Sequence, residues 1–286
     1  MANYDSDLEN NVPEFNKVAE GAVTKSEMDM SGALSVGKIH GWKQIVGILG
    51  VAIAFLGIWE LLVRLTHVPE YVFPAPSAIV VALIKNIPVL YTHFFYTLGT
   101  LAGGYIIGAA IGLLLAAVLI QVPFLEKIIT PYIILLITTP AIALVPLLML
   151  KLGFGVAPRL IVVALAAGPM VMINAVTGFR RTDLAKIALA KSYGASNLQI
   201  FTKIRFPLAL PMINVGLLVG GIFGLITAVG ADMVGGKLGL GNRIAYYSSL
   251  GRMSTFFAVI LMVSIIGISL WLIVSKIGSK WASWQE

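Results

Sequence analysis

Six stretches of the chain are almost unbroken in apolar residues, and shorter polar segments separate them. They run over about 44–65, 97–122, 128–150, 159–176, 208–229 and 255–276. Each is close to the ~20 residues an α-helix needs to cross ~30 Å of hydrocarbon. The pattern predicts an all-α polytopic membrane protein with about six transmembrane helices. Pro131, Pro140, Pro146 and Pro169 fall inside the third and fourth stretches. Spanning helices tolerate prolines where neighbouring helices satisfy the freed carbonyls. Two stretches carry glycines four apart: Gly104, Gly108 and Gly112 in the second, and Gly216, Gly220 and Gly224 in the fifth. Such stripes let another backbone approach closely. Ordinary helix packing is the simple reading; a subunit interface or a place beside a pathway is the sharper one.

Composition strengthens the membrane reading. Only 12% of the residues are charged, against 58% hydrophobic, whereas an average soluble domain carries about 25% charge. The net charge of +7 does not point to nucleic acid, because the basic residues sit between apolar spans and form no groove-sized patch. With no cysteine, disulfides and thiolate chemistry are excluded. Thirteen of the 20 lysines and arginines fall on one side if the N-terminus is inside, with the excess between the fourth and fifth stretches. The positive-inside rule then places both termini in the cytoplasm of an inner (plasma) membrane protein. Seven acids among residues 5–29, against Lys17 and Lys25, mark residues 1–40 as a mobile cytoplasmic tail or a docking peptide. A transmembrane domain is expected over 41–286. The first apolar run starts near Ile45, too late for a cleavable leader, so the first span is expected to be retained.

The polar segment over 180–211 carries the most specific pattern. Thr182 or Asp183 can cap a short helix through Ser192, and Gly194 fits the left-handed position that ends it. Ser196 can cap a second helix whose Leu198, Phe201 and Ile204 recur at helical spacing. Two short amphipathic helices joined at a glycine therefore project from the membrane domain. They lie on the bilayer or dock into a groove on another protein.

Ala188-Leu189-Ala190, then Gly194, then Ile204-Arg205-Phe206-Pro207 resemble the coupling-helix motif of ATP-binding-cassette importer permeases. Lys191-Ser192-Tyr193-Gly194-Ala195-Ser196 and Phe201 resemble the nitrate, sulfonate, taurine and bicarbonate group within them. Trp59-Glu60-Leu61-Leu62, Phe73-Pro74-Ala75-Pro76-Ser77, Pro140 to Gly155, Ala231-Asp232-Met233 and Gly239-Leu240-Gly241 extend the likeness over about 45–280. The usual glutamate of the motif is Ala188 here, and its arginine is Lys191. The resemblance implies a permease subunit with coupling helices at about 182–206. It implies two cytosolic ATPases that use ATP and Mg, a second permease copy, and an extracytoplasmic solute-binding protein. The solute would be nitrate, bicarbonate, a sulfonate such as taurine, or a related small organic anion. Docking would use Leu198, Phe201 and Ile204 as apolar anchors, with Lys191, Lys203 and Arg205 steering. Gly194, Ala195 and Ser196 would set the bend. Asp232, Met233, Gly239, Gly241 and Pro146 are the pathway or gate candidates.

The remaining polar residues suggest little chemistry. Glu60 and Arg64 are spaced as a helical ion pair, and Arg159 reads as an interfacial anchor. His40, His67 and His93 lack ligand spacing, so no metal site is expected. No arrangement predicts catalysis, and Gly236-Lys237-Leu238 fails the phosphate-loop pattern. Neither a cofactor nor an enzymatic activity is expected in this chain. An ATP-independent secondary transporter or channel is the alternative, although inverted repeats and charged intramembrane sites are not plain in the sequence.

Overall fold

The computed structural model describes residues 42–281, and within these the chain is helical with no strand. The expected tail over residues 1–40 lies outside the described residues. The chain divides into two compact units between Ile58 and Trp59. Helix α1 (Trp42–Leu65) crosses that boundary; its residues 42–58 are the described part of the first unit, and the second is described from here on.

Helix α2 (Pro76–Leu119) is 44 residues long and begins well before the apolar stretch at 97, with proline in its first turn. Proline suits that position because the N–H it lacks has no intrahelical partner there. Glu60 completes the start. Its carboxylate accepts from the Ser77 N–H at 3.0 Å and the Ser77 hydroxyl at 2.7 Å, while Arg64 Nε donates to it at 2.6 Å. The pair expected within α1 thus also caps α2.

The third apolar stretch is not one helix. Helix α3 (Pro123–Thr138) ends, and a 3₁₀ turn (Ala141–Leu144) leads into α4 (Val145–Leu152) at an 84° bend. Thr139 precedes Pro140 and is extended (φ −81°, ψ 120°), because the proline ring disfavours helical backbone in the residue before it. Among the described residues, five helices are long and apolar enough to span a membrane, or six if the bent pair counts as one.

Helix α5 (Val156–Arg180) is the centre of the bundle, and α8 (Phe206–Gly235) lies beside it. Both glycine stripes close on α5. A side chain at Gly108 would strike the Ala164 backbone, and one at Gly112 the Gly168 carbonyl. From α8, Gly216 abuts Asn174 and Val171, and Gly220 abuts Val171 and the Ala167 carbonyl. Helix packing within the chain therefore accounts for the stripes, as small-residue contacts between spanning helices do. Gly224 sits more loosely, with Leu101 and Val163 in ordinary contact range. After α8 come α9 (Leu240–Ser249) and α10 (Met253–Trp281). Leu90, Leu101, Val163, Ala228, Leu240, Tyr247, Val259 and Ile266 form a buried apolar cluster that joins α2, α5, α8, α9 and α10.

Candidate functional site

Between α5 and α8 the chain forms the loop expected from its caps. Asp183 accepts from the Ala185 N–H at 2.8 Å and starts α6 (Leu184–Ser192). Gly194 has φ +79°, a conformation that side chains other than glycine or asparagine disfavour. Ser196 and Gln199 form a reciprocal capping box at the start of α7 (Asn197–Ile200). A π-helical turn over Phe201–Arg205 then runs directly into α8. The loop is thus continuous in backbone with α5 at one side and α8 at the other.

The apolar residues of the loop divide into two sets. Ile200 is buried, and the Phe201 ring turns inward, 5.2 Å from Phe179 and 6.3 Å from Phe206. Ile204 is half-buried. Their spacing predicted outward-facing anchors; the π-helical turn and the cluster around Phe179 and Ala209 instead draw Phe201 into the bundle. Leu184, Leu189, Tyr193 and Leu198 point out, with Leu198 67% and Tyr193 83% exposed. Lys191, Ser196 and Lys203 are exposed and Ala195 half-buried, whereas Arg205 is half-buried and lines a cleft of about 250 Å³ with Gln121, Lys191 and Asn197. On the same end of the bundle, Arg180 pairs with Glu126 and so ties α5 to α3.

At the far end of the α5–α8 hairpin a buried polar cluster joins four helices. Arg159 is 1% exposed and Asp232 fully buried. Arg159 Nε faces Asp232 Oδ1 at 3.3 Å. Arg159 also donates to the Tyr96 hydroxyl (2.7 Å), the Gly155 carbonyl (2.8 Å) and the Gly235 carbonyl (3.2 Å). The Thr97 hydroxyl donates to Asp232 Oδ2 at 2.6 Å and accepts from the Leu240 N–H at 2.8 Å. His93 lies between Gly239 N and Arg243 Nε, 3.0 and 2.8 Å from its two ring nitrogens; a neutral imidazole accepts at one of them. Gly239 (φ +107°) abuts the Asp232 carboxylate, and Gly241 abuts the Val229 carbonyl and the Asp232 Cβ, so that neither has room for a side chain.

The pathway candidates are therefore distributed unevenly. Asp232, Gly239 and Gly241 come together in the cluster. Met233 is exposed beside it, and Pro146 lies exposed in the first turn of α4, outside it. Arg159 is not the interfacial anchor its position suggested, because Asp232 gives the guanidinium a buried counter-ion. The signal was present: Arg159 opens α5 and Asp232 closes α8, and a hairpin brings those two ends together. Tyr96, Thr97 and His93 were missed, since nothing in a single sequence aligns α2 against that hairpin. Among the described residues no group of three or more His, Cys, Asp or Glu could hold a metal ion.

Residues 108–282 match the family described as "Binding-protein-dependent transport system inner membrane component". A Haemophilus influenzae protein described as "Probable ABC transporter permease protein" is 30% identical over 79% of this chain and 90% of its own length. A Bacillus subtilis permease protein, SsuC, named for aliphatic sulfonate transport, is 26% identical over 87% of this chain and 90% of its own. In fold, the chain is similar to a subunit of the MetNI methionine ABC transporter in an inward-facing conformation. The TM-score is 0.61 at 18% identity, covering 68% of this chain and 98% of that one.

Proposed function

Because the chain belongs to the family of inner membrane components of binding-protein-dependent transport systems, we propose that its 184–205 loop is the seat of a separate cytosolic ATPase. The chain is the permease subunit of an ATP-binding-cassette importer, and ATP with Mg is consumed on that partner. The observation that carries the reading is the outward row of Leu184, Leu189, Tyr193 and Leu198 on a glycine-bent loop. Exposed apolar side chains on a short helix suit a groove in another protein. Lys191 and Lys203 flank them as steering charges, and Gly194, Ala195 and Ser196 set the bend.

Both arms leaving the loop are long helices packed on one another through glycines. Displacement of the loop by ATPase closure would move α5 and α8 together and reach the Arg159–Asp232 end, about 37 Å away along a 25-residue helix. ATP thus biases a two-state equilibrium by binding one state of the assembly better than the other. In this reading two permease copies line one pathway, with both termini cytoplasmic. An extracytoplasmic binding protein delivers the solute, a small organic anion of the sulfonate kind. Asp232 with its glycine collar acts at the gate, and Met233 and Pro146 lie along the route.

The test is retention of the ATPase. The wild-type chain, co-expressed with its partner ATPase, should hold that subunit through purification in detergent, and Leu198→Asp should release it with the permease still folded. Full retention by Leu198→Asp together with Tyr193→Asp would remove the loop as the docking seat.

A further inference from the structure

The cleft of about 250 Å³ beside the α6–α7 loop holds positive charge that nothing around it balances. It opens between the end of α2, α6, α7 and the π-helical turn, and Gln121, Lys191, Asn197 and Arg205 supply its polar lining. No acid lines it. The Gln121 and Asn197 amides carry donors and acceptors alike, so net charge, and not a count of hydrogen bonds, decides what fits. Arg205 is half-buried. Its Nη1 reaches the Ile120 carbonyl only at 3.5 Å, and its buried Nε has no hydrogen-bond partner. Neither Arg205 nor Lys191 has an ion-pair partner among the described residues. Of the described acids at this end of the bundle, Glu126 holds Arg180 and Asp183 caps α6. A guanidinium half removed from water without a counter-ion is destabilised, and an anion in the cleft relieves that cost.

The place of the cleft says which anion. Ile120 closes the apolar run of α2, and Arg205 stands just before that of α8. The cleft therefore sits where both helices leave the hydrocarbon. Ile187, Ile200 and Phe201 give it an apolar side. We infer that it seats the phosphate of an anionic phospholipid, held by Arg205 and Lys191, with the acyl chains directed back into the bilayer. Basic pockets between spanning helices suit such headgroups, and the contacts to the phosphate are charge-assisted. A zwitterionic headgroup fits less well, because its ammonium would meet the same two cations. Tyr193 and Leu198 do not line the cleft, so the lipid leaves the outward apolar row of the loop free.

The full-length chain in detergent, alone and with its partner ATPase, would be titrated with dioleoylphosphatidylglycerol and with dioleoylphosphatidylcholine and read by native mass spectrometry. Phosphatidylglycerol should bind about ten-fold more tightly, the scale of one charge-assisted contact. Arg205→Gln should remove that preference, and Arg205→Lys, which keeps the charge, should restore part of it; size-exclusion chromatography checks that both are folded. Should Arg205→Gln fail to fold, Lys191→Gln reads the same loss. Lys276→Gln removes an equal charge at the same end of the bundle, where Gly278 abuts Asn214 of α8, and should bind as wild type. Equal binding of the two lipids, or an undiminished preference in folded Arg205→Gln or in Lys191→Gln, overturns the inference. Displacement of the lipid by equimolar glycerol 1-phosphate would mark a site for free phosphate, and loss of the lipid when the ATPase docks would mark part of that interface; either result also overturns it. The titration of the chain alone stands apart from the ATPase reading, which a failure to retain that subunit would strike by itself.

Discussion

Asp232 is held by one cation, one hydroxyl and a collar of glycines, so its removal affects more than a single contact. Asp232→Leu leaves the Arg159 guanidinium buried without a counter-ion, which should cost about 3–5 kcal/mol. Thermal unfolding in detergent should show a clear fall in midpoint. Arg159→Met with Asp232→Leu should lose less than the sum of the two single variants, since each single change strands the other charge. Asp232→Asn keeps the Thr97 hydrogen bond and should assemble but transport poorly; normal uptake would take Asp232 out of the gate. Gly194 poses a different residue-scale problem. Nothing lies within 4 Å of a side chain placed there, so substitution acts through the backbone alone. Valine in the left-handed region costs ~1–2 kcal/mol or more and should redirect α6 against α7. ATP hydrolysis without matching uptake is the expected result for Gly194→Val, and Gly194→Asn should be milder. Wild-type coupling in the valine variant would show that the bend is unimportant.

At the scale of elements, the loop and the glycine stripes separate packing from recognition. Phe201→Ala should lower stability, because the ring lies against Phe179 and Phe206, while Leu198→Ala should leave stability unchanged and weaken ATPase retention. Gly108→Leu should abolish folding or halve the yield of folded protein, since the Ala164 backbone occupies the space. Gly99→Ala, with open space around it, serves as the control in the same fluorescence size-exclusion assay. The caps, the glycine bend and the helical character of the loop were legible in the sequence because they are local: Asp183, Ser196 and Gly194 act within a few residues. The inward turn of Phe201 was not, because helical spacing alone assigns Leu198, Phe201 and Ile204 to one face. Only the π-helical turn and the neighbouring α5 break that symmetry. The same limit hid the 84° break in the third apolar stretch. Apolar content predicts a span whatever its path, and Pro140 and Pro146 were compatible with a kinked helix.

At the scale of the molecule, the apolar runs made the spanning helices legible, because lipid imposes them on each segment separately. The buried Arg159–Asp232–Thr97 cluster required knowing which helices stand side by side. A hairpin argument could supply two of those residues, but the third comes from α2. Topology is the remaining whole-molecule prediction: cysteines placed at Ser196 and at a C-terminal tag should react from the same side of an intact membrane, and Lys237→Cys from the other. Labelling of Ser196→Cys and Lys237→Cys from one side would contradict the arrangement. Helix α2 carries one more consequence. At 44 residues it measures about 66 Å, more than twice the hydrocarbon thickness, and the tilts of spanning helices reach only about 40°. Leaning cannot hide it, so roughly half must stand clear of the lipid as a mast, and His93, Tyr96 and Thr97 sit near its waterline. A shift of bilayer thickness by a few ångströms would then move that waterline along the mast without stretching the helix, and the polar end of the bundle would be the first part to feel it.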